Sequence, residues 1–370
     1  MIYRIELRDR DLEYIRTLDE RVEGLSWGYN RIGGCAGISF RAPSRYCSEV
    51  DLGTNFNIRV LAKNLVTGTY DLKYQGRLEN IGSNVTGIKE SVRVTGFGYQ
   101  SELKDIIFNK NYASTEISVI VKDILDTFVV PNTNITYDTA DIVATSFTPN
   151  NLEFSYVTAQ QAMSKLADIT GSREWGVNAE RKFFFKQESA ETNLFYPITG
   201  GKISNFDIDS SSREIINHVV VIGGDVAGSK FVFEKDYTRN QDKYKRRDKI
   251  INNSAIVTDE VAEQFADAAQ ALGDGAVRRG KFTLKDEVYF EDENPLPLIE
   301  IQTREINWDE RGWDTFLWAG EPAFQISKIK YTLDSLSNLI LNVQVGQPLP
   351  SQVQDLKQLQ FNLDQVVQAR

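Results

Sequence analysis

Between Ser91 and Gln187 the chain changes its backbone period twice, and few architectures accommodate that order. Val92-Arg93-Val94-Thr95-Gly96-Phe97-Gly98-Tyr99 alternates as a half-buried strand does and then meets two glycines. Ser114-Thr115-Glu116 supplies helix-capping residues, and Ile117, Ile120, Val121, Ile124, Leu125 and Phe128 recur on one helical face. A second capped helix is predicted over 157–169, stopped by Gly171, and a hairpin bearing Trp175 and Phe183-Phe184-Phe185 follows.

Either side of this stretch the chain reads as β-structure. Up to about residue 105, strands are predicted at 2–8, 12–18, 36–41, 56–63, 70–80 and 90–99. Strands this close, with no helix between them, form antiparallel barrels or sandwiches. Further strands are predicted at 203–208, 215–222, 298–303, 323–331 and 339–345, the second of them stopped by Gly223-Gly224. Residues 237–255 read as a long polar loop, and Thr258-Asp259-Glu260 caps an alanine-rich helix to Leu272.

This succession resembles the hub proteins of bacteriophage tails: the baseplate hub of contractile phages, the late-control protein D family, and the tail-hub portion of siphophage tip proteins. The resemblance implies a mainly β fold with an α+β insertion, in which two tail-tube-like β-barrels accompany an α/β domain and a C-terminal helix. It sets the first barrel at 1–105, the α/β insertion at 106–202 with 241–294, the second barrel at 203–240 with 295–347, and an attachment helix at 348–370. Three such chains would form a ring of pseudo-sixfold symmetry, because two similar barrels per chain give six comparable docking surfaces for a tube. The partners implied are further copies of the chain, a tail-tube or distal tail protein, and a spike or fibre protein. The resemblance departs at the C-terminus, where the end at Arg370 leaves no room for a lysozyme, protease or needle domain.

The formal charge of −10 disfavours a general nucleic-acid binder, which gains affinity by releasing counterions from phosphate through Lys and Arg. It suits a lumen that genomic DNA passes without specific binding. Met1 to Leu7 alternates apolar and polar residues, so no signal peptide is predicted, nor is any membrane span. The expected location is the virion tail tip, after synthesis in the host bacterial cytoplasm. Cys35 and Cys47 read as small buried groups or incidental thiols.

No catalytic, cofactor or metal site is predicted. His218 is the single histidine and reads as a satisfied strand residue, leaving a His-dependent triad no other candidate. Asp207 and Asp209 have strand spacing and read as a solvent-facing pair rather than cation ligands. Gly96-Phe97-Gly98 and Gly223-Gly224 lack the Gly-x-Gly-x-x-Gly pattern before a helix, and tight turns at barrel rims account for them. The basic run Lys243 to Lys249 fits a solvated loop, a neighbouring subunit or DNA phosphate, with subunit contact ranked above DNA in so acidic a chain.

Two sets of interface candidates complete the reading. Trp308, Trp313 and Trp318, with Phe316, gather aromatics of the kind enriched at protein interfaces, with a carbohydrate platform as the other reading. Leu356, Leu359, Leu363 and Val366 are spaced as a short heptad seam. The expected role is a non-enzymatic tail hub; a tail-associated cell-wall or capsule hydrolase and a distal tail adaptor are the alternatives.

Overall fold

The computed structural model describes residues 3–18, 22–43, 53–64, 67–86, 89–145, 147–149, 151–170, 173–187, 192–197, 202–211, 215–226, 228–238, 241–252, 256–272, 277–285, 296, 298–302, 323–333 and 338–346. The fold is mainly β. Its first region holds β1 (Tyr3–Arg8), β2 (Tyr14–Leu18), β3 (Glu23–Asn30), β4 (Gly33–Pro43), β5 (Asn57–Lys63), β6 (Tyr70–Thr86) and β7 (Lys89–Gly98). These pair antiparallel in the order β3-β4-β7-β6-β5-β1-β2. Alternation sets the inward face, where Phe40, Val60, Leu78 and Val94 are buried.

The β3 strand was not among the predicted ones; Gly24 and Gly28 interrupt Glu23–Asn30. Leu25, Trp27 and Tyr29 nevertheless alternate into the core. Gly96 and Gly98 correct the rim-turn expectation, since both lie within β7. A Cβ on Gly98 would sit 2.1 Å from the Cys35 carbonyl oxygen, and one on Gly96 would sit 2.4 Å from that of Arg77. Close backbone approach, rather than turn geometry, demands glycine there.

The C-terminal strands continue the same sheet. In the described residues β14 (Ile203–Ser211), β18 (Val277–Leu284), β21 (Leu339–Val345) and β20 (Ala323–Leu333) pair in that order, and β20 joins β3 with Tyr331 opposite Trp27. The Trp27 and Tyr331 rings stack at 5.2 Å. β19 (Leu298–Gln302) pairs with β20 and with β13 (Thr192–Pro197). One buried cluster runs across both halves, from Leu7 and Val60 to Phe282 and Val343. The path ends at β2 and β14, and no pairing among the described residues joins those two ends into a closed barrel.

The α/β region contains β8 (Ile107–Ala113), α1 (Ile117–Ile124), β9 (Thr136–Ile142), β10 (Asn151–Thr158), α2 (Ala159–Thr170), β11 (Arg173–Val177) and β12 (Lys182–Gln187). Both predicted helices and the Trp175 hairpin are present. Ile117, Ile120, Val121, Ile124 and Leu125 are buried and Phe128 packs beside them, on the face the 3.6-residue period predicts. Glu116, rather than Ser114, caps α1, accepting the Val119 N–H. For α2, Thr158 and Gln161 bond each other's backbone N–H reciprocally at 3.0 and 3.2 Å, which satisfies two donors the helix leaves open.

A small separate sheet has the order β16-β15-β17, formed by β15 (His218–Val226), β16 (Ser229–Asp236) and β17 (Asp248–Asn252). The short α3 (Gln241–Tyr244) precedes β17, and α4 (Asp259–Leu272) covers one face, closing a core of Val219, Val221, Ile256, Ala262 and Ala266. This overturns the long polar loop expected over 237–255, because β17 pairs in parallel with β15. It also redistributes the expected boundaries. β15 and β16, assigned to the second barrel, pair with β17 of the insertion, whereas β18, assigned to the insertion, lies between β14 and β21. Gly223-Gly224 does not stop β15; a Cβ on Gly223 would sit 2.0 Å from the Ile256 carbonyl oxygen, so the strand runs on through a close contact.

Candidate functional site

The informative places of the geometry are where units join. At the first junction β11 lies parallel to β4, with Gly176 opposite Gly33 and Val177 opposite Gly34. Gly33 and Gly34 have φ of +106° and +77°, where L-residues are strained. A Cβ on Gly34 would sit 2.2 Å from the Val177 carbonyl oxygen, and one on Gly176 would sit 2.4 Å from the Gly34 nitrogen. Only bare backbone fits on both sides.

Buried polar groups brace that junction. Glu102 accepts the Asn134 N–H at 3.0 Å and lies 3.5 Å from Arg77 of β6. Burial pushes its carboxyl above the usual range, while the Asn134 bonds and Arg77 pull the other way. Tyr99 donates to the Asn57 side chain, and Asn57 donates to the Asp9 carbonyl at 2.5 Å, so a residue at the entry to the α/β unit is tied to β5. Arg181 reaches the Asn134 carbonyl at 3.1 Å, and the Leu296 N–H donates to Glu174 at 3.1 Å.

The helix cap at Glu116 is a second polar knot. Its carboxylate accepts from Ser118, from the Val119 N–H, and from the Thr145 backbone at 2.7 Å. Burial alone would raise its pKa, but the bonds from Ser118 and Thr145 outweigh that and hold it at about 2.

His218 is 2% exposed on β15 and has partners on every side. Its Nδ1 is 2.6 Å from Asp248, Glu234 and Asp236 lie 3.9 Å from Nε2, and Arg246 Nη2 is 3.0 and 3.1 Å from the two ring nitrogens. Nearly equal distances to both nitrogens place the guanidinium over the ring rather than in its plane. The cluster ties β15 to β16 and β17, so His218 is a hydrogen-bonded strand residue.

The remaining sequence candidates divide. Asp207 is exposed on β14, and no group of three or more metal-ligating side chains occurs among the described residues. Cys35 is buried. Lys245 to Arg247 are exposed just before β17, and Asp248 and Lys249 are exposed on its first two positions. Cys47, Trp308, Trp313, Phe316, Trp318, Leu356, Leu359, Leu363 and Val366 lie outside the described residues. Sequence reasoning missed the Gly33–Gly34–Gly176 contact; adjacent glycines between two aromatic strands were its only signal. It also missed Tyr156, 79% exposed at a β10 bulge with φ of +48°.

No helix among the described residues is long and apolar enough to cross a membrane. No protein-family model matches the chain, and no curated protein matches it by sequence. Solved structures do. The 43 kDa tail protein of prophage MuSo2 from Shewanella oneidensis is similar at a TM-score of 0.63 and 11% identity, over 93% of this chain and 98% of that one. Prophage tail protein gp18 from Listeria monocytogenes is similar at a TM-score of 0.60 and 11% identity, over 98% of this chain and 99% of that one. A chain of the Francisella PdpA–VgrG complex is similar at a TM-score of 0.53 and 9% identity, over 93% of this chain and 52% of its own length. These likenesses show that this chain shares its fold with prophage tail proteins.

Proposed function

We propose that this protein is a structural ring component, the hub, of a bacteriophage tail tip or baseplate. The observation that carries the reading is the end-to-end likeness to two prophage tail proteins, which leaves neither chain a large unmatched portion. Three copies form the ring, and each contributes two β halves joined through β3 and β20. Six similar surfaces then face the tail tube or a distal tail protein, while a spike or fibre protein docks below. Genomic DNA passes the lumen unbound, in keeping with the charge of −10. Trp308, Trp313 and Trp318 contribute to protein contacts, and 348–370 attaches a neighbour through Leu356, Leu359, Leu363 and Val366.

The role is non-enzymatic, in line with a single histidine that is fully engaged in strand-to-strand contacts. A reconstruction of the assembled tail tip tests the proposal. A threefold ring of this chain between tube and spike is the expected result; a hexamer of single barrels, or its absence from the tip, would overturn it. Purified protein should leave peptidoglycan and capsule intact, and turnover abolished by His218→Ala would refute the non-enzymatic role.

A further inference from the structure

Two short edge strands of opposite charge lie on different units of the chain. β17 pairs with β15 alone among the described residues, and none of them pairs with its outer edge. Lys249 is exposed on it, and Lys245 and Arg247 are exposed on the segment that leads into it. β9 likewise pairs with β12 alone. Beside it Asp138 and Glu180, 58% and 63% exposed at their side chains, share one lysine, Lys182, at 2.9 and 3.1 Å. Arg181, on the same turn and bonded to the Asn134 carbonyl at 3.1 Å, offsets the second carboxylate, so the excess negative charge at this margin is that of Asp126, which accepts the Tyr137 hydroxyl at 2.7 Å.

An open strand edge offers unpaired N–H and C=O groups to any strand that reaches it, and charges along the edge decide which strand does. Lysines keep β17 from pairing with a second β17, and the acidic margin keeps β9 from pairing with a second β9. Each edge accepts the other.

We infer that the β17 edge of one copy docks on the β9 edge of the next, a head-to-tail contact between chains. Every copy uses one edge on each side, so the contact is heterologous and closes into a ring when the rotation permits. The inference rests on the ring proposed above and names the surface that forms it. It also gives the basic run a function that does not involve DNA.

The test is a charge swap in the full chain, read by sedimentation velocity and mass photometry. Arg247→Glu with Lys249→Glu should weaken self-association at least tenfold, and Asp138→Lys with Glu180→Lys should do the same. A single chain carrying all four changes, whose two edges are again of opposite charge at every contact of a three-membered ring, should recover assembly. Rings formed by both double variants as by the unaltered protein would overturn the edge contact and leave the ring intact. Loss without recovery in the chain carrying all four changes would overturn the pairing of these two edges. An unaltered protein that stays monomeric would overturn the ring and this contact together. Circular dichroism checks folding; if a reversal unfolds the chain, Arg247→Gln with Lys249→Gln and Asp138→Asn with Glu180→Gln carry the same comparison.

Discussion

Two helix-and-sheet units accompany the large sheet, and they are held by different physics. The α/β unit is hydrogen-bonded into it: β11 extends β4 through glycines that admit no side chain, and Glu102 reaches Arg77 from below. The small β15–β17 unit shares no strand pairing with the large sheet among the described residues. It leans on the α/β unit through Val261 and Phe265 of α4, with Phe265 edge-on to Phe147 at 6.0 Å. A contact of backbone on backbone tolerates almost no change in shape, whereas side-chain packing yields gradually. The first unit is thus fixed in place and the second is the natural site of adjustment.

The sharpest way to break this contrast is Gly34→Ala. A Cβ there meets Val177 backbone and the φ of +77° opposes it, so a loss of about 3 kcal/mol or more is expected in urea unfolding. A loss below about 1 kcal/mol would mean the two strands separate easily. Phe265→Ala comes next. Removing a partly buried ring from the small-unit contact should cost about 2 kcal/mol and raise amide exchange in α4 and β15–β17 while leaving α1 and α2 protected. Uniform exchange across both units would erase the distinction.

Glu116→Gln tests a knot inside the fixed unit and should cost about 1 kcal/mol at neutral pH. The folded pKa, about 2, lies below the ordinary carboxylate value. The stabilisation is therefore complete above the unfolded value and fades as pH falls toward 2; the variant should lack that acid-side loss. Identical stability-against-pH curves would refute the role of the cap. The smallest effect belongs to Asp207→Asn, exposed on the sheet margin, which should change stability by less than about 0.5 kcal/mol and leave calorimetric titration with calcium or magnesium flat.

What could be read from the sequence follows the range of the interactions. Helix α1 was legible because its apolar face and cap lie within a few turns of one another, and Ile117, Ile120, Val121, Ile124 and Leu125 are buried as the period demands. The hairpin of Trp175 was legible for the same reason. β17 was not, since Ile251 alone of its residues turns into the core and its partner is fixed by a parallel register with β15. β18 was unread as a strand because Val277-Arg278-Arg279-Gly280 looks polar, and its place between β14 and β21 depends on chain far away in both directions. The Gly33–Gly34–Gly176 contact was hidden because a glycine records only what is missing.

The pairing of β3 with β20 has a consequence in time. Trp27 leaves the ribosome about 300 residues before Tyr331, its partner across the sheet. At roughly 5–20 residues per second, β3 waits on the order of 15–60 s for the strand that covers its edge. Through that interval the N-terminal sheet ends in an open strand carrying a tryptophan, and contacts so distant in sequence are slow to form. Completion of the core is therefore postponed until synthesis is nearly finished. A chain cut short anywhere before residue 323 keeps that edge bare, so unfinished copies are marked for chaperones and proteases.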